Sequence, residues 1–226
     1  MNTTAITSPN NKGILIGEIV GAPEGKFEVE GETFYEGKIA VQRLSENVDI
    51  LPFTISEKLI KAYNLKLEKG NILAFGGELR SYNRIIENKS RLILSFFIKE
   101  ILDVSKLNQD NTNELHLTGF VCKDPIYRTT PFNRQICDVL IAVNRPNFNK
   151  SDYIPCIMWG RNAKLMQNQK VGTKISLCGR IQSRLYRKEI SEGVFEERTA
   201  YEVSCQKLKI EENANYIAEE AEKPTA

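Results

Sequence analysis

A segment near the start of the chain, NKGILIGEIVGAPE from Asn11, returns as NELHLTGFVCKDPI from Asn113. The offset is 102 residues. It also holds for IAVQR from Ile39 against IAVNR from Ile141, and for the pairs Gly70/Gly172, Gly77/Gly179 and Ser81/Ser183. It slips by one residue in the middle, where Asp49-Ile50-Leu51-Pro52 faces Asp152-Tyr153-Ile154-Pro155. Short repeats build solenoids, whereas a period of this length is one whole small domain. The chain of 226 residues is therefore expected to hold two copies of one fold. The positions at which the copies differ then become evidence about function.

Each copy reads as short strands with one short helix. In the first copy the strand-like runs are 13–21, 33–43, 48–55, 71–82 and 90–102, with a helix near 56–63. In the second they are 114–122, 135–144, 151–159, 174–186 and 198–210, with a helix-compatible stretch at 160–167 and a polar hairpin loop at 187–197. Three strands, a helix and two more strands in about 95 residues match an all-β OB-fold, a five-stranded Greek-key barrel. The expected organisation is a flexible N-terminus over 1–10, a first OB-fold over 11–102, a polar, flexible linker over 103–112, a second OB-fold over 113–210 and an acidic tail over 211–226.

Composition removes several classes. No apolar run approaches the roughly 20 residues of a membrane span, and the N-terminus lacks the basic and apolar blocks of a secretory signal, so a cytoplasmic place is expected. The five cysteines (Cys122, Cys137, Cys156, Cys178, Cys205) all fall in the second copy, form no CxxC pair and sit in apolar strand-like runs. They read as small, reduced core residues. The single histidine, His116, has no ligand spacing around it and reads as structural. No nucleophile–base set, carboxylate pair or phosphate loop is present. No catalytic residue, metal or cofactor is expected, and an enzyme is the least favoured class.

Charge is uneven. Residues 1–102 carry 13 Lys/Arg and 13 Asp/Glu, whereas residues 113–210 carry 16 and 9. A basic copy beside a neutral one points to an anionic ligand on the second. Strand alternation places Ile154, Cys156 and Met158 on one side of the third strand, and Tyr153, Pro155, Ile157 and the only tryptophan, Trp159, on the other. On the fourth strand Ile181 and Leu185 oppose Arg180, Gln182, Arg184 and Tyr186. Guanidinium groups interleaved with rings suit a single-stranded nucleic acid. The cations neutralise phosphates, and the rings stack on bases that no duplex hides.

The second copy resembles the bacterial single-stranded DNA-binding protein family. The resemblance is carried by LTGFVCKDPIYRTT, IAVNR, DYIPCIMWGRNAKL, VGTKISLCGRIQSRLY and the late TAYEV, in the family's order and spacing from Asn113 to about Ile210. The first copy resembles it more weakly, through IGEIVGAPE, IAVQR, DILPF and the Gly70/Gly77 spacing. The resemblance implies stacking by Trp159, Tyr153, Tyr186 and Phe148. The basic residues placed to contact phosphates are Arg145, Arg161, Arg180, Arg184 and Arg187. At the stacking positions the first copy carries Ile50 for Tyr153, Ser56 for Trp159, Glu46 for Phe148 and Arg84 for Tyr186, while the core set Leu51, Phe53 and Ile55 persists. Arg80, Tyr82 and Arg84 remain there as a candidate auxiliary groove.

The expected function is therefore sequence-tolerant binding of single-stranded DNA in replication, recombination or repair. Family assemblies of four OB-folds imply a homodimer, in a bacterial cytoplasm or on a phage or mobile element. The acidic end EEAEKPTA lacks the apolar tip with which the family docks replication and repair enzymes, so recruitment of such partners by that route is not expected. Two rivals remain: a primosome-type or replication-accessory protein-interaction module, favoured by the ring-poor first copy, and an RNA-binding OB protein.

Overall fold

The computed structural model describes residues 10–86, 88–107, 112–146 and 149–211. The expected N-terminal segment and acidic tail lie almost wholly outside these residues. The chain divides into two compact units, residues 1–117 and 118–226. The division falls inside a strand rather than in the expected linker, of which Val104–Lys106 forms a single 3-10 turn capped by Asp103.

The first unit contains β1 (Asn11–Ile19), β2 (Gly25–Val29), β3 (Glu32–Gln42), β4 (Val48–Ser56), α1 (Glu57–Ala62), β5 (Ile72–Ile86) and β6 (Lys89–Leu102). Antiparallel pairings join β1 to β3, β3 to β4, β6 to β5 and β5 to β1, and a short parallel pairing joins β4 to β6. These pairings close a five-stranded barrel, the OB-fold. Residues Asn113–Leu117, which belong to this unit, pair with Asn11–Leu15. The interior follows the period of two: Leu51, Phe53 and Ile55 of β4 are each at most 1% exposed, and Phe75 and Phe96 face them.

The second unit repeats this plan. Its strands are β7 (Asn113–Val121, from Thr118 onward), β8 (Ile126–Thr129), β9 (Gln135–Asn144), β10 (Ser151–Trp159), β11 (Lys174–Ser191) and β12 (Val194–Ile210), with α2 (Gly160–Met166) between β10 and β11. The β4–β6 parallel contact recurs as β10–β12, where Cys156 faces Val203 and Ile157 faces Ser204. Ile154, Cys156 and Met158 are buried as their alternation predicts, with Ile141 opposite Ile154 and Val203 opposite Cys156. All five cysteines are free thiols, and burial pushes Cys137 up to about 11 and Cys205 to about 12.

Two expectations are corrected. Each barrel carries an added short strand, β2 or β8, which forms a hairpin with the next strand. Residues 187–197 are not a loop. Strands β11 and β12 continue as a paired ribbon to a turn at Glu192 and Gly193, the glycine taking φ +72°. The register sets opposite charges across the ribbon, Arg187 opposite Glu197 and Lys188 opposite Glu196, which favours strand pairing.

Candidate nucleic-acid interface

The outer face of the second unit is built by β10, β11 and β12. On β10, Tyr153 is 48% and Trp159 37% exposed. They stand six residues apart on one strand, about 20 Å. Ile157 lies between them but is buried by its neighbours, so the apolar part of this face is narrower than alternation implies. Trp159 is also the N-cap of α2 and makes no side-chain cap bond there. Its Nε1 donates instead to Ser204 Oγ at 3.2 Å, which anchors one edge of the indole. Gly160 follows at φ +51°, a left-handed conformation that favours glycine at the turn from strand to helix.

On β11 the alternation holds near the barrel: Ile181 is buried, whereas Arg184 is exposed and Tyr186 half-buried. Leu185, expected in the core with Ile181, is 65% exposed, because here the ribbon has left the barrel and no core lies beneath it. The polar groups are connected. Arg180 Nη2 donates to Gln182 Oε1 at 3.1 Å, Gln182 Nε2 donates to Glu202 Oε1 at 2.7 Å, and Arg184 Nε lies 3.7 Å from the same carboxylate. The Arg184 guanidinium carbon is 5.8 Å from the Tyr186 ring centre. Arg161 is exposed on α2, and Arg187 is exposed on the ribbon.

Arg145 is held in an ion pair. Its Nε and Nη2 donate to the two oxygens of Asp152 at 2.9 and 2.6 Å, and the Asp152 side chain is only 2% exposed. The first unit makes the same fork between Arg43 and Asp49, at 2.7 and 2.6 Å, with the Asp49 side chain 1% exposed. The hydrogen bond from Arg43 to Asp49 holds the Arg43 pKa above its ordinary value. Arg145 is thus half of an ion pair present in both barrels. The sequence held the signal, since Arg145 is echoed by Arg43 in the copy without rings. Phe148 lies outside the described residues.

In the first unit Ile50 is 37% exposed where Tyr153 stands in the second. Ser56 is buried and caps α1, its Oγ accepting from the Leu59 amide at 3.3 Å. The outer face is not bare of rings. Phe27 stacks on Phe34 (centroids 5.6 Å, planes 18° apart), Phe34 meets Phe97 at 5.6 Å, and Arg80 lies over Phe97 at 4.5 Å. Comparison at the four family positions alone misses this ladder, because its rings come from β2, β3 and β6. Arg80 also donates to Glu78 at 3.1 and 2.6 Å. Tyr82 Oη donates to Glu36 Oε1 at 2.7 Å, and Arg84 Nη2 donates to both Glu36 oxygens at 2.8 and 3.0 Å. Burial, with the Glu36 bond added, pushes the Tyr82 hydroxyl up to about 12, and the Glu36 bond raises Arg84. His116, on β7, is exposed and hydrogen-bonds to Glu114.

Two OB-folds, one presenting rings beside arginines, define the class: a tandem OB-fold protein. Residues 112–211 match the model of the Single-strand binding protein family. The chain is 33% identical over 89 residues to Single-stranded DNA-binding protein 3 of Streptococcus agalactiae serotype V, covering 37% of this chain and 64% of the relative. It is 37% identical over 78 residues to the single-stranded DNA-binding protein of Oceanobacillus iheyensis, covering 32% and 48%. It thus spans about half to two thirds of the length of these relatives. A crystal structure of the wild-type single-stranded DNA binding protein from Thermus aquaticus superposes with a TM-score of 0.67 at 16% identity, covering 90% of this chain and 94% of that one. That likeness extends over both units and shows the fold.

Proposed function

We propose that the chain binds single-stranded DNA with little sequence preference, through the outer face of the second unit. The observation that carries this reading is the pair of exposed rings, Tyr153 and Trp159, on β10, with Arg180 and Arg184 on β11 across the intervening β12, inside the segment that matches the family model. Trp159 and Tyr153 stack on bases, with Tyr186 beside Arg184 as the third ring. Arg161, Arg180, Arg184 and Arg187 meet the phosphates. Binding of this kind has no chemistry of its own and protects strands exposed in replication, recombination or repair. The Glu202 carboxylate positions Gln182 and Arg184 on that face.

Trp159 is the only tryptophan, so its fluorescence reports this face alone. Titration with poly-dT at low salt is expected to quench it, and affinity is expected to fall steeply with salt as counterions are released. Unchanged fluorescence together with no gel shift would refute the reading. A matched RNA strand distinguishes a DNA from an RNA ligand. With two OB-folds per chain, a homodimer supplies the four of a family assembly. Light scattering at micromolar concentration is expected to give twice the chain mass, and a monomer would refute the pairing. A chain of this function works on the bacterial nucleoid. Among the described residues no helix is long and apolar enough to cross a membrane.

A further inference from the structure

The two barrels place an acid at the same point of the outer face, Glu36 on β3 and Asp138 on β9, 102 residues apart. They neutralise it differently. In the second unit Arg128, on the short strand β8, donates through Nε to Asp138 at 2.9 Å. On β11 Arg184 lies near Tyr186 and Glu202, and Tyr186 hydrogen-bonds across the ribbon to Arg198. In the first unit the position of Arg128 is held by Phe27. The registers establish this, since Phe27 faces Phe34 where Arg128 faces Ile136. A phenylalanine cannot neutralise a carboxylate, and Phe27 stacks on Phe34 instead. Glu36 therefore takes its partners from β5: Tyr82 and Arg84, which are the equivalents of Arg184 and Tyr186.

The effect extends beyond one pair. A cavity of about 310 Å³ lies on this face, lined by Glu24, Glu36, Lys38, Tyr82, Arg84 and Ser95 among others. Both cations on its wall are held by carboxylates, Lys38 by Glu24 at 2.8 Å and Arg84 by Glu36 at 2.8 Å. Arg80, the remaining cation of the candidate auxiliary groove, is held by Glu78 and lies over Phe97. Lys38, Arg80 and Arg84 thus each already have a carboxylate in the phosphate's place, and Lys99, over the Phe97 ring, is the cation beside them for which the ladder rather than an acid is the neighbour. A strand entering here would have to displace those carboxylates and bring its own negative charge beside them.

We propose that Glu36, set free from the β2 hairpin by Phe27, closes the outer face of the first unit to single-stranded DNA and so confines binding to the second. Glu36 is a specificity-determining residue and Tyr82 and Arg84 are its captives. The proposal rests on the reading of the second unit as the DNA face, and its test separates the two. Full-length wild type, Glu36→Gln and Phe27→Arg are titrated with oligo-dT for nucleotides occluded per chain. Each is then photo-cross-linked to a 4-thiothymidine oligomer, with the attached peptides mapped. Glu68→Gln, an exposed carboxylate elsewhere in the unit, controls for the charge change alone.

The expected result is that wild type and Glu68→Gln cross-link only in the second unit. Glu36→Gln should add cross-links on β5 around Tyr82 and occlude up to about twice the length, as two OB-folds would. Phe27→Arg should do the same by drawing Glu36 back to the hairpin, and it decides the question if Glu36→Gln does not fold. Identical cross-link maps and site sizes in wild type and variant overturn the proposal. So do β5 cross-links already present in wild type, or an equal gain from Glu68→Gln. A wild type that fails to bind while Glu36→Gln binds through β5 overturns the second-unit reading and supports this one. Failure of both to bind overturns both.

Discussion

Trp159 and Ser56 occupy the same place in the two barrels, at the last residue of a strand and the N-cap of the following helix. This equivalence allows function and stability to be separated by two alanine substitutions. Ser56→Ala removes a cap bond of 3.3 Å, just longer than the usual range. The loss belongs in the lower part of the N-cap range, about 0.5–1 kcal/mol. No DNA-facing ring is touched, so affinity should not change. Trp159→Ala removes no cap, because the indole makes none. It removes one stacking surface, worth roughly 1–3 kcal/mol, or about a 5- to 150-fold rise in Kd. The assay pairs anisotropy of a fluorescein-labelled dT oligomer, which does not need the tryptophan, with urea unfolding followed by circular dichroism. Trp159→Phe provides the conservative control: it keeps a ring, loses the donor to Ser204, and should retain most of the affinity. The reasoning is refuted if Trp159→Ala binds within twofold of wild type, or if Ser56→Ala weakens binding as much.

The other substitutions follow the same division. Arg145→Ala leaves the Asp152 carboxylate buried without its fork and should destabilise the second unit by about 3–5 kcal/mol, seen as a lowered urea midpoint. Arg161→Ala, by contrast, should leave the midpoint unchanged and reduce the slope of log Kd against log salt by about 0.7, the increment for one contact to a single strand. Gly160→Ala meets no atom within 4 Å, so its cost comes from the left-handed backbone alone, about 1–2 kcal/mol, read as a lower melting temperature. The Tyr82 hydroxyl, with its folded pKa raised from 10 to about 12, keeps its proton in the folded state where the unfolded chain has lost it. Its contribution to stability is fully present below pH 10 and is lost as pH rises towards 12. Absorbance at 295 nm should show a late-titrating tyrosine that Tyr82→Phe removes, and Glu36→Gln should move it part of the way back towards 10.

The barrels were legible in the sequence because their interiors obey a strict period. Leu51, Phe53 and Ile55, and in the second copy Ile154, Cys156 and Met158, alternate in the primary sequence and are buried in the fold. The short strands β2 and β8 were not legible. Residues such as Glu28, Val29, Ile126 and Thr129 have no core beneath them and are exposed, so no hydrophobic alternation marks them. The β11–β12 ribbon was misread for a related reason. Its charges resemble those of a loop until the register sets Arg187 against Glu197. Glu36 could not be identified as a clamp from sequence, because Tyr82 and Arg84 lie 46 and 48 residues further along and meet it only through the closed barrel.

The same comparison shows how an internal repeat is to be used. Identity between copies marks what the fold requires: Arg43 and Arg145 repeat because each satisfies a buried aspartate, and Gly77 and Gly179 repeat because a Cβ there would lie 2.2 and 2.4 Å from a backbone oxygen of the neighbouring strand. Difference between copies marks function only when the partner of the differing residue is known. The exchange of Trp159 for Ser56 is informative on its own, because a ring is replaced by a cap. The exchange of Arg128 for Phe27 looks like a neutral change on a short surface strand. Its consequence appears one residue pair away, where losing the hairpin cation leaves Glu36 to take the two side chains with which the first barrel could have met a phosphate. On the proposal made above, the ion pairs of Lys38, Arg80 and Arg84 would act against a strand on the first barrel independently of the missing tryptophan.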